Sequence, residues 1–235
     1  MRSRRRAALV VIAALAATAV APAAGLAACN DPPAAGVDWS KCDKYKKMLN
    51  GADLSGAILS RAELGRTDLR GADLSGAKLD EAELSRASLA EAKLAGADLT
   101  KATLARADLT AADLTGANLG KAELARAVLR KAKLGGVDLR KANMSRADLE
   151  NADLSGADLE RAELDRSILR GVAFGDANLA GVDLYNARLD GADLSAARGL
   201  TQEQIAEACG DGETKLPAGL EPPASWPCPV EPEES

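Results

Sequence analysis

The chain has 235 residues, of which only 2% are aromatic and none is histidine, and its formal net charge is −5. So few rings exclude a conventional globular core of this size and leave Ala and Leu to fill a narrow interior. The lack of histidine removes the commonest general base and the commonest neutral metal ligand.

Residues 1–28 read as an export signal. Arg2, Arg4, Arg5 and Arg6 form a charged start, Ala7 to Ala21 an apolar run, and small residues come after it. Pro22 interrupts the run before the roughly twenty residues that a membrane span requires. Leu26-Ala27-Ala28-Cys29 resembles a bacterial lipobox. That resemblance implies lipid attachment at Cys29, with a membrane anchor and Asn30 to Pro33 as a tether. Ordinary cleavage nearby is the alternative, leaving Cys29 as a plain cysteine. By proximity the four cysteines pair as Cys29 with Cys42 and Cys209 with Cys228, whereas lipidation would leave Cys42 unpaired in an oxidising compartment. Either reading places the protein outside the cytoplasm, in the periplasm or on the outer surface. Loss of the signal removes four Arg and no acid, taking the net charge from −5 to −9.

Residues 29–50 read as a tether and a degenerate cap. Val37 to Lys41 fits a five-residue pattern centred on Trp39, which closes the open end of the repeat region, but Lys44 and Lys47 fall on positions that a dry interior does not accept unpaired.

Residues 51–197 are organised by one period. From Leu54 to Leu194 every fifth residue is large and apolar, 29 centres in all, Leu in 27 and Met144 and Phe174 in the others. Two residues earlier stands a small residue, nearly always Ala, with Thr67, Val137, Ser167, Val172 and Val182 as exceptions. Between the two lies Asp, Glu or Asn at most positions. A period of five forms no stripe on an α-helix and sends successive leucines to opposite faces of a strand. It does suit a short extended piece with Ala and Leu pointing inward, followed by a bend, wound into stacked coils. A second period gives the coil size. Gly56, Gly76, Gly96, Gly116, Gly136 and Gly156 recur every twenty residues, and so do Arg66, Arg86, Arg106, Arg126, Arg146 and Arg166. A third, mostly basic column is Arg61, Lys101, Lys121, Lys141 and Arg161. Twenty within five means four units per coil.

The tandem A-(D/N/E)-L-x-x unit resembles the pentapeptide repeat family over about two thirds of the chain. The resemblance implies an all-β fold, a right-handed quadrilateral β-helix of about seven coils, roughly 35 Å long at the ~4.8 Å spacing of neighbouring strands.

Residues 198–235 form a C-terminal cap and a Pro-rich tail. Thr201 to Gln204 is a capping-box pattern opening a short helix to about Ala208, with Gly210 as its stop and Leu200 and Ile205 packing it on the last coil. Cys209 and Cys228 staple the return segment beside Trp226, and Pro229 to Ser235 is an acidic tail expected to lack order. A homodimer through this cap is the alternative use of the surface.

No catalytic, cofactor or metal residue can be nominated. The carboxylates face water, the bend serines Ser55, Ser75, Ser155 and Ser195 have no base within reach, and phosphate cradles, zinc spacings and nucleophile elbows are missing. The sequence therefore points to a non-enzymatic exported module, structural or binding a protein or a polyanionic envelope partner, with no nucleic acid and no cofactor. The arginine ladder carries two readings. Beside Glu63, Glu83, Glu123 and Glu163, and with Asp68, Asp108 and Asp148 two residues on, it describes a salt-bridged solvated surface. Alternatively it is a linear array for a polyanion such as surface glycan or anionic lipid head groups. Some pentapeptide repeat proteins resemble duplex DNA and protect a type II topoisomerase, so DNA mimicry is the second functional class.

Overall fold

Leu54 donates its N–H to the Asp73 carbonyl at 2.7 Å, and Asp73 donates to the Ala52 carbonyl at 2.9 Å. This exchange between parallel segments twenty residues apart is the unit from which the molecule is built. The computed structural model describes residues 29–228; the stretch read as an export signal, 1–28, and the acidic segment 229–235, expected to lack order, lie outside the described residues. Bridges run Asp38↔Ile58, Ile58↔Lys78 and onward to Asn178↔Arg198, and three further columns do the same. Four pentapeptides thus close each turn of a right-handed quadrilateral β-helix, with eight coils between residues 36 and 195.

The interior is one continuous column set. All 29 centres from Leu54 to Leu194 are at most 1% exposed, and the small residue two before each is buried at nearly every coil. The polar exceptions are satisfied by backbone: Thr67 Oγ1 donates to the Lys44 carbonyl at 2.8 Å and Ser167 Oγ to the Leu164 carbonyl at 2.7 Å. Phe174 is accommodated at a cost in regularity. In its coil the positive φ moves from the expected position 176 to Gly175, and the Phe174 N–H to Asp193 carbonyl bond lengthens to 3.2 Å.

The N-terminal end departs from the expected boundary. Coiling starts near residue 36 rather than 51, because Asp38, Asp43 and Met48 already bridge to Ile58, Glu63 and Asp68. Lys47 escapes to solvent, whereas Lys44 is buried and partnered. Its Nζ donates to the Cys29 carbonyl at 2.6 Å and lies 3.5 Å from the Trp39 ring centroid. Burial holds its ammonium below the usual lysine range, and the charge of Lys47 adds to this. Trp39, at 1% exposure, is covered in turn. The lid is therefore a Lys44 ammonium over an indole, tied down by a Cys29–Cys42 disulfide. With its thiol bonded to Cys42, Cys29 has none left for a lipid thioether, so the lipobox reading of this residue does not fit this form of the chain.

The C-terminal cap has the expected helix, α1 (Gln202–Glu207), with reciprocal Thr201 and Gln204 capping and Ile205 fully buried. Gln204 also donates to the Val182 carbonyl at 2.7 Å, anchoring α1 to the rod. Gly210 has a different role from the one expected. Ala208 ends the helix in an extended conformation, and Gly210 lies under Trp226, where a Cβ would come within 2.5 Å of the ring. Trp226 Nε1 donates to the Ala208 carbonyl at 2.8 Å, and Cys209 is bonded to Cys228. The ladder itself continues through Arg188↔Cys209 and Asp193↔Lys215, so the last coil's edge is paired.

Leu119 lies in the column of Leu99 and Leu139 at 0% exposure. Leu119→Asp should lose at least ~3 kcal/mol by burying a charge, while Asp113→Asn, on the outer surface, should lose less than ~1 kcal/mol. Urea unfolding of both variants checks this, and equal midpoints would reverse the inward and outward assignment.

Candidate functional site

Each bend is closed by one hydrogen bond, as where the Ala57 N–H reaches the Leu54 carbonyl at 3.0 Å. At all but the bends after Phe174 and Leu194 the second central residue has positive φ (+63° at Gly56) and the first does not, which is the type II turn pattern. The four edges of the rod differ in what they place at that strained position. One edge uses Gly56, Gly76, Gly96, Gly116, Gly136 and Gly156. A second uses Arg61, Lys101, Lys121, Lys141 and Arg161, and is the lysine edge. A third, the arginine edge, holds Arg66, Arg86, Arg106, Arg126, Arg146 and Arg166 at φ between 54° and 61°. The fourth is mixed, from Gly51 to Gly191. A left-handed backbone costs a residue with a Cβ about 1–2 kcal/mol relative to glycine, so the two basic edges store strain that the glycine edge avoids.

The expected salt-bridged lattice does not form at the arginine edge. All six arginines are exposed, and among the described residues none has a carboxylate oxygen within 4.0 Å. Arg166 lies 5.9 Å from the Tyr185 ring instead. Every other arginine of the described chain is engaged. Arg61 meets Glu81 at 2.9 Å, Arg130 meets Asp148, and Arg161 meets Glu160 at 3.7 Å. Arg170 and Arg188 share Asp190, and Arg198 donates to the Asp176 carbonyl. Arg70 grips Asp68 with two bonds of 2.8 and 2.6 Å, and Arg140 grips Asp138 in the same way. Two of the acids expected for the ladder are taken by other arginines, Asp68 by Arg70 and Asp148 by Arg130, and Asp108 accepts from Thr110 instead.

Between the lysine and arginine edges runs the face of Glu63, Glu83, Thr103, Glu123, Asn143 and Glu163, which bridge in that order. From Arg61 to Arg166 this strip, edges included, carries eleven basic and six acidic residues, a net of +5. The rest of the repeat region, 51–195, sums to −9. The excess sits in three central coils, where Lys101, Arg106, Lys121, Arg126, Lys141 and Arg146 meet a single acid, Glu123. Thr103 and Asn143 replace the carboxylate in the coils above and below it. Beside Gly120 a depression of about 400 Å³ opens onto the lysine edge, where Lys101, Lys121, Lys141 and Arg140 line it together with Asp138 and Glu160.

The opposite face has another organisation that sequence reading missed. Asp53, Asp73, Asp113, Asp153 and Asp193 each accept, through Oδ1, the backbone N–H two residues on. A Ser or Thr hydroxyl also donates to Asp53, Asp113, Asp153 and Asp193, and the Ser75 side chain acts on Asp73 in the same way. These Asx turns hold the carboxylates below their usual range, chiefly through the hydroxyl bond, and Asp193 falls to about 2. The D-L-S and D-L-T triplets were the available signal. The column is interrupted by Lys93, Lys133 and Ala173. No group of His, Cys, Asp or Glu suited to a metal occurs among the described residues. At the C-terminal cap Leu200, Leu216, Leu220 and Trp226 turn onto the core.

Comparison with known proteins supports the fold. The family described as Pentapeptide repeats matches in eight copies, within residues 49–195. Among solved structures, HetL, a pentapeptide repeat protein involved in heterocyst differentiation regulation from the cyanobacterium Nostoc sp. strain PCC 7120, is similar at 35% identity. The match covers 77% of this chain and 84% of HetL with a TM-score of 0.52. QnrB1, a plasmid-mediated fluoroquinolone resistance protein, shares the fold at 18% identity, with 77% and 87% covered and a TM-score of 0.63. No curated protein sequence matches.

Because the Asx carboxylates titrate lower folded than unfolded, their contribution is present above the unfolded pKa near 4 and is lost as pH falls through the folded values. The melting temperature should fall between pH 4 and about 2, the value reached by Asp193. Replacing Asp53, Asp73, Asp113 and Asp153 together by Asn keeps the acceptor oxygen and should flatten that decline. Calorimetry across the range checks it; an equally steep decline assigns the acid sensitivity elsewhere.

Proposed function

The chain belongs to the pentapeptide repeat family, and from that premise we propose that it is an exported, non-catalytic interaction module of the cell envelope, offering an outer surface rather than an active-site pocket. The observation that carries this reading is the pair of disulfides, Cys29–Cys42 and Cys209–Cys228, one at each end of the rod. Such bonds persist in oxidising compartments and are rare in the cytosol. Each closes a cap over the terminal coil, so oxidation protects the two places where the solenoid exposes leucine and unpaired edges. The charged and apolar start of residues 1–28 supplies the route to that compartment. The proposal does without lipid on Cys29, whose thiol is used by Cys42.

The alternative of a DNA mimic protecting a topoisomerase draws on the fold shared with QnrB1. It is disfavoured by the lysines that break the Asp73 column and by the basic strip on the other side. Fractionation with intact-mass measurement tests the proposal. The expected species is extracytoplasmic, lacks residues 1–28 or nearly so, carries no diacylglycerol, and gains four protons on reduction. Full-length protein in the cytosol with free thiols would overturn it.

A further inference from the structure

Three features of the arginine edge coincide. It places six guanidiniums on strained left-handed corners, whereas the edge diagonally across the rod uses glycine at that position. It leaves them without carboxylate partners, although every other arginine of the described chain has a partner. It also borders the strip from Arg61 to Arg166, whose central coils set six cations against the single acid Glu123. Strain held at a set of residues whose one side-chain contact among the described residues is that of Arg166 with the Tyr185 ring points to an external partner. We infer that the face between the lysine and arginine edges binds an extended carboxylate polymer, an acidic polysaccharide, centred on Arg106, Lys121, Arg126, Lys141 and Arg146.

The chemistry of the strip selects this partner over other polyanions. Guanidinium and carboxylate match as bidentate pairs, and a row of guanidiniums at the ~4.8 Å coil spacing meets a chain that carries charge along its length. Thr103 and Asn143, lying between the rails, offer a hydroxyl and an amide to sugar hydroxyls. Single-stranded nucleic acid is held largely by stacking on aromatic rings. The chain has one Phe, two Tyr and two Trp; Trp39 and Phe174 are buried, Trp226 packs in the cap, and Tyr45 and Tyr185 lie at the two ends of the edge, seven coils apart. The central strip therefore has no stacking platform. A protein partner would want an apolar centre, but between the rails of the central coils only Thr103, Glu123 and Asn143 rise from the face, and the bends beside Arg106, Arg126 and Arg146 hold Ala105, Ala125 and Ser145. Glu123 limits how densely charged the ligand's middle can be, which favours a uronate chain over a polyphosphate.

The inference rests on reading the rod as an interaction module, and binding measured on purified oxidised protein separates it from the question of where the protein resides. The probe is a polyuronate such as alginate, with neutral dextran, polyphosphate and a single-stranded oligonucleotide as competing arms, in titration calorimetry at low and moderate salt. Polyuronate should bind with dextran silent. Arg106→Gln with Arg126→Gln and Arg146→Gln should weaken it at least tenfold and reduce its salt dependence. Arg70→Gln with Arg140→Gln, which removes the same kind of charge from paired positions, should change it less than twofold. The three ladder arginines changed to Lys should weaken binding severalfold at unchanged charge. Unaltered circular dichroism and melting temperature for each variant keep folding out of the comparison. Equal losses in the ladder and control variants, no binding of polyuronate, or tighter binding of oligonucleotide or polyphosphate would each overturn the inference.

Discussion

The register of twenty residues between parallel segments is the constraint on which the rest of the structure depends. Each outward residue donates to the coil before it and each leucine to the coil after it, as Asp73 does to Ala52 and Leu54 to Asp73. A slip by one residue would turn every Ala and Leu outward, and a slip by five would move every edge to the next corner. Because the register holds, residues that share a place in the coil stack into lines. The glycine line, the arginine line and the Asx line are all consequences of it. No layer of packed helices or second sheet is needed, since the interior is narrow enough for leucine and alanine alone to fill.

That same constraint explains what was legible. A translation repeated eight times writes itself directly into the sequence, so the inward positions, the coil size and the distinct edges are plain in the order of residues alone. The capping box at Thr201 and Gln204 is local and equally plain. The features that were not legible depend on groups meeting through space at unrepeated positions. Lys44 looked like a fault in the first coil; its ammonium reaches the Cys29 carbonyl and the Trp39 ring, both set by the fold-back of the cystine loop. Gly210 looked like a helix stop, but it is a landing place for Trp226, sixteen residues further on. The pairing of the arginines was hidden for a similar reason. Adjacent columns of opposite sign suggest bridges, but a column position does not say which of two nearby guanidiniums reaches the acid first. Arg70, two residues from Asp68 along its own bend, closes on it and leaves Arg66 without it.

The ends and the middle of the rod follow different rules. At the ends, chemistry particular to this chain closes the solenoid: a buried ammonium and a disulfide at one end, and a helix, a tryptophan and a second disulfide at the other. In the middle the repeat is monotonous in its interior and varied only outside, at bend and face positions that backbone pairing leaves unconstrained. A substitution on a face costs little stability and one at a bend is limited mainly by the left-handed backbone, so these are the positions at which selection for a surface property can act without disturbing the interior.

The charge pattern has the form such freedom predicts if only one face were under selection. From Asp73 to Asp153 acids and lysines alternate along their column, and the acids are tied to their own bends, which accounts for them without reference to any partner. Along the arginine edge the identity never varies over six coils. The backbone there would be more relaxed as glycine, and apart from Arg166, which lies near the Tyr185 ring, the side chains pair with nothing within the described chain. A periodic sequence would produce that uniformity by duplication alone, but duplication also produced the neighbouring Glu column, and there Thr103 and Asn143 have replaced the acid in two of the three coils where the cations are densest. Loss of acid beside retained arginine raises the local potential in the middle of one face, and internal stability gives no reason for that combination.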